Sequence, residues 1–150
     1  MESEQCSSTR VFDNTFIASS LIFNILIGGI WLTAKLGNTV LLGAVGALFI
    51  CLIAPFTFVL WGYRKARKEG IVIASLLIIL FYLFLELLLD FILRIPFRDI
   101  PVLHAFYIVV LYAATFNIIG ISFRINRRMG FAVTITFWIS LVFLVYMYLG

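Results

Sequence analysis

The chain has 150 residues, 64% of them hydrophobic and only 12% charged, with a formal net charge of +4. Soluble domains carry about a quarter of their residues as charged groups, so this composition excludes an ordinary soluble fold and fits one integral membrane domain. Nucleic acid is excluded as a partner: the basic residues sit in short loops, where the positive-inside rule accounts for them, and no basic-aromatic stripe accompanies them.

The spacing of uncharged stretches sets the architecture. Thr15 to Ala34, Leu36 to Tyr63, Gly70 to Leu85 and Met129 to Gly150 carry no charge, and Ile100 to Phe123 carries only His104. A bilayer core of about 30 Å needs roughly 20 apolar helical residues, so each stretch is long enough for a span or most of one. Runs such as Leu76-Leu77-Ile78-Ile79-Leu80 do not alternate, which excludes a transmembrane barrel. The expected fold is all-α: a polytopic integral membrane protein, one domain over 1–150, built as a compact bundle of five transmembrane helices. The spans fall at about 14–34, 39–62, 71–93, 102–123 and 129–149.

Ahead of the first span lies a tail of mixed charge, with Glu2, Glu4, Arg10 and Asp13 and no small-residue cleavage site after a short apolar core. The first span therefore reads as a retained anchor. It carries Ser20, Asn24 and Gly28 at spacings of four, a small and polar stripe suited to helix packing. Gly37 and Asn38 mark the turn that follows. In the second span Gly43, Gly46 and Ala47 suggest close packing, and Pro55 removes a backbone bond and predicts a kink. Cys51 reads as a small buried hydrophobe. Cys6 lies in the tail at a different depth, so no disulfide between them is expected.

The third span holds the strongly ionisable residues of the apolar segments. Glu86, Asp90 and Arg94 follow at i, i+4 and i+8 and share one face, drifting about 80° in all. Asp90 is expected about 5 Å and Glu86 about 10 Å inside the end of the span. Arg94 can reach back to Asp90, which leaves Glu86 needing a proton, water or a partner on another helix. The loop that follows adds Arg98, Asp99 and His104, with Pro96 and Pro101 bounding the helices. In the fourth span Ala113, Ala114, Asn117 and Gly120 form another small, polar face.

Short loops imply antiparallel neighbours. Five spans then place the N-terminus and the second and fourth loops on one side, with Arg10, Arg64, Lys65, Arg67, Lys68, Arg124, Arg127 and Arg128. The other side has Lys35, Arg94 and Arg98. This bias predicts a cytoplasmic N-terminus and an extracytoplasmic C-terminus, in a cell or inner membrane. Cysteine labelling at Ser8 and Gly150 is expected to find them on opposite sides; labelling from one side would refute five spans.

No catalytic constellation is visible. A single histidine cannot supply a His-rich zinc site or a bis-histidine haem site, and P-loop, dinucleotide-binding and CxxC patterns are missing. No metal or cofactor is therefore expected. Three functional readings stand on the Glu86 cluster. The first is a non-enzymatic accessory or scaffold component, whose acids fix helix register and whose partners are the bilayer and other membrane subunits or a second copy. The second is a proton- or cation-linked small transporter or channel using Glu86 and Asp90. The third, supported least, is a lipid-modifying enzyme.

Overall fold

The computed structural model describes residues 2–94 and 100–149, with side chains described from Thr9 onward. Among these residues it contains only helices. They are α1 (Glu2–Lys35), α2 (Thr39–Cys51), α3 (Ile53–Lys65), α4 (Gly70–Glu86), a π-helical segment (Leu87–Ile92), α5 (Pro101–Ile125) and α6 (Arg127–Leu149). Five apolar stretches are long enough to cross a membrane: Thr9–Lys35, Thr39–Lys65, Gly70–Ile92, Pro101–Ile125 and Arg127–Leu149. The five-helix, all-α membrane bundle expected from the sequence is the fold.

Local chemistry explains the boundaries. Gly37 adopts a positive φ of 67° after α1, a conformation that costs glycine little. Asn38 then caps α2, its side-chain oxygen accepting from the Leu41 N–H at 3.0 Å. Pro101 starts α5, where its missing N–H costs nothing. The second span is broken rather than merely bent. Pro55 has no N–H to offer the Cys51 carbonyl, and the interruption falls at Leu52, whose N–H bonds Phe49 O at 3.1 Å in a tighter turn. The first helix extends beyond the expected span, because the polar tail continues α1 back to Glu2. Cys51 corrects another expectation: it is a free thiol exposed on the outside of the bundle.

The spans close into a ring. α1 packs on α2 and α3, α3 on α4, α4 on α5, α5 on α6, and α6 returns to α1 in the most extensive contact of the bundle. Consecutive spans are antiparallel, whereas α1 and α6 run parallel. This closing seam is polar and tight. Asn24 donates to Val133 O and to Thr136 Oγ1, both at 3.0 Å. Ser140 Oγ donates to Asn24 O at 2.5 Å. Gly28 lets the helices meet, since a Cβ there would lie 3.0 Å from Phe143 Cδ2 and 3.3 Å from Ser140 Oγ. In lipid such bonds contribute about 0.6 to 2 kcal/mol each.

The interior is aromatic. Phe16, Phe23, Phe49, Phe56 and Tyr82 are fully or almost fully buried. Phe23 lies 5.0 Å from Phe49, 6.3 Å from Phe56 and 5.9 Å from Tyr82, ring centre to ring centre. The last two are edge-to-face, and aromatic pairs of this kind add about 0.5 to 1.5 kcal/mol beyond their buried area. Large apolar side chains such as Ile25, Val40, Phe84, Val109 and Trp138 are exposed, as expected of surfaces facing lipid. Trp138 in the middle of α6 therefore faces outward rather than lying at a bilayer interface.

Candidate functional site

α4 carries Glu86 to the end of its regular turns, where the helix widens. Leu93 N–H bonds Leu88 O at 2.8 Å, a five-residue step. π turns are rare inside helices and are often found at functional sites. Glu86, Asp90 and Arg94 all line one cavity on this side of the helix. Arg94 ends the segment with a φ of 49°, in the left-handed region that a non-glycine residue seldom adopts.

Across from this segment stands the first half of the second span. Together they enclose a half-open cavity of about 360 Å³, lined by Glu86, Asp90, Phe91 and Arg94, by Thr39, Leu42, Gly43 and Gly46, and by Ile30 of α1. Glu86 is buried, at 3% exposure. Asp90 is half-buried and Arg94 exposed, so the three residues step from the cavity's depth to its mouth.

Of the two glycines expected to pack closely, Gly46 does and Gly43 does not. A Cβ on Gly43 would meet nothing within 4 Å, so this glycine leaves space, whereas one on Gly46 would sit 3.3 Å from the Phe91 ring. Gly43 and Ala47 are exposed. α2 ends at Cys51, before the turn at Leu52, and Phe23, Phe49 and Tyr82 are buried in the interior.

One helical turn below Glu86, the Tyr82 hydroxyl lies 2.8 Å from that of Tyr107 on α5, fully enclosed. Glu86 follows Tyr82 by four residues on α4, so the two share one face of the helix. The tyrosine pair was not read as part of the site from the sequence. The spacing of Tyr82 and Glu86, four residues apart on one helix, was the available signal.

The remaining candidates are dispersed. His104 is half-buried at the start of α5 and does not line the cavity; its Nδ1 is enclosed with no hydrogen-bond partner among the described residues. Arg98 and Asp99 lie outside the described residues. Ser20 is buried and bonds its own helix, at Phe16 O. Asn117 likewise bonds Ala113 O at 2.7 Å and faces a separate cleft of about 220 Å³ between α4 and α5. Of the three polar packing candidates, only Asn24 reaches another helix by a hydrogen bond. Among the described residues no group of three or more His, Cys, Asp or Glu side chains is placed to hold a metal.

Fold and site together define the class: a polytopic, all-α membrane protein of five spans with an acid-lined cavity at one end. No family model, curated protein or solved structure matches the chain.

Proposed function

We propose that the protein is a small proton- or cation-linked carrier in which Glu86 is the loading group and Asp90 the relay at the mouth. The observation that carries this reading is the enclosed Glu86 carboxyl on the wall of a cavity large enough for water and a small cation. An ion pair that only fixes helix register needs no such space. Ionisable groups inside a membrane segment mark ion and proton pathways by default, and here a half-open cavity reaches a buried carboxyl. The π turn lines the cavity and supplies a place where backbone geometry is already irregular. In the orientation expected from the basic loops, the cavity faces outward.

The reading predicts one-sided access. With both native cysteines replaced by serine, Gly43→Cys should react with a membrane-impermeant thiol reagent added outside and not with reagent confined inside. Val59→Cys, on the same span beyond the break and fully buried, should react from neither side. If Gly43→Cys stays unreactive, water does not enter the cavity and the carrier reading fails. The accessory-component reading then takes its place, with assembly rather than flux as the property to measure.

A further inference from the structure

The opposite end of the bundle carries a second feature, independent of the Glu86 cavity. Between α1 and the α5–α6 turn lies a groove of about 790 Å³. Its wall changes character with depth. Arg10 and Asn14 of α1 and Asn126 of the turn stand at the outer edge, while Ile17, Leu21 and Met129 continue inward. From Arg10 to Leu21 the helix rises about 16 Å, enough for a polar headgroup followed by the first part of an acyl chain.

Charge makes the edge selective. The carboxylate in the lining, Asp13, is already engaged: Tyr63 Oη donates to it at 2.6 Å and Lys68 Nζ lies 3.8 Å away. Glu69, the other acid of this end whose side chain is described, is bound by Arg124 at 2.6 Å. Arg10 is exposed and has no ion-pair partner among the described residues. Arg127 and Arg128 follow Asn126 directly, and the Arg127 guanidinium lies over the Phe131 ring at 6.0 Å. Among the side chains described at this edge, the unpaired charge is positive, and it stands next to the apolar Ile17, Leu21 and Met129.

We infer that this groove is a binding site for a phospholipid with an anionic headgroup, its phosphate held by Arg10 and the Asn126 amide and its chain lying along Ile17, Leu21 and Met129. Basic recesses between membrane helices recognise such headgroups, and the gain per basic contact corresponds to about fivefold in affinity. The apolar wall separates this ligand from a free anion, which has no use for it.

Native mass spectrometry of the full chain tests the assignment. The protein is released from micelles holding phosphatidylcholine and phosphatidylglycerol in equal amounts, and retained lipids are counted. The wild type should keep one phosphatidylglycerol in preference to phosphatidylcholine. Arg10→Gln, an exposed change that leaves the bundle folded, should cut that preference about fivefold. Leu21→Trp should block retention of both lipids at this site. Arg64→Gln, at the same end outside the groove, should leave the preference intact. Equal retention of the two lipids by the wild type would overturn the proposal. So would an equal loss in Arg64→Gln and Arg10→Gln, which would mean diffuse attraction without a site. Displacement of the lipid by millimolar inorganic phosphate would assign the groove to a soluble anion instead.

Discussion

Replacing Glu86 with glutamine should reduce proton- or cation-driven flux in proteoliposomes to the level of empty vesicles. Glutamine has nearly the same shape and keeps hydrogen-bonding capacity, but it cannot gain or lose a proton or balance a cation. Its neutral amide also avoids the cost of burying a charge, so the variant should fold and melt no lower than the wild type. Asp90→Asn should reduce flux less, because Asp90 is half-buried nearer the mouth. A second route to the same loss leaves both acids in place. Gly43→Leu puts a side chain into open space, filling the cavity without a collision. Parallel loss in Glu86→Gln and Gly43→Leu, with both proteins folded, would tie flux to the cavity. Full flux in Glu86→Gln would remove Glu86 from the function.

The same leucine substitution at Gly28 should have the opposite outcome for stability. There the Cβ alone already lies 3.0 Å from Phe143 and 3.3 Å from Ser140, so the larger branched side chain must push α6 away from α1. Overpacking of this kind costs about 1 to 3 kcal/mol. The displaced seam also loses the bonds of Asn24 to Val133 and Thr136 and that of Ser140 to Asn24. A total of about 3 kcal/mol follows. Unfolding by titration with a denaturing detergent should show the loss in Gly28→Leu, with Gly43→Leu and Gly29→Ala near wild type. At Gly29 a Cβ meets only Val45, at an ordinary 3.5 Å. An unshifted midpoint for Gly28→Leu would mean that α1 and α6 do not pack as described.

These two glycines also show how far the sequence could be read. Span number and antiparallel order follow from run lengths and short loops, because a bilayer imposes length and backbone satisfaction on every segment. The interruption of the second span was legible through Pro55, since a missing N–H acts locally. The shared face of Glu86, Asp90 and Arg94 was legible from spacing alone. The cavity beside them was not. Gly28 and Gly43 look alike in sequence, yet one is pressed against α6 and the other faces empty space. Which of these applies depends on residues far along the chain, Ser140 and Phe143 in one case and the π segment in the other. The π turn has no marker among Leu87, Leu88 and Leu89. Closure of the ring by the parallel pair α1 and α6 is likewise a tertiary fact, as is the reach of Tyr63 to Asp13, 50 residues apart in the chain.

Central to the account is Glu86 as a reachable, cation-competent carboxyl inside the membrane span. The most direct measurement is labelling of bilayer-reconstituted protein with a lipid-soluble carbodiimide, which forms a stable adduct with a protonated carboxyl in an apolar setting, followed by peptide mass spectrometry. The account predicts an adduct at Glu86 that is suppressed when a small cation or a higher pH is applied and returns when the condition is reversed. It also predicts that Gly43→Leu protects Glu86 from the reagent. An unreactive Glu86, or an adduct indifferent to cations, pH and the filling of the cavity, would contradict it.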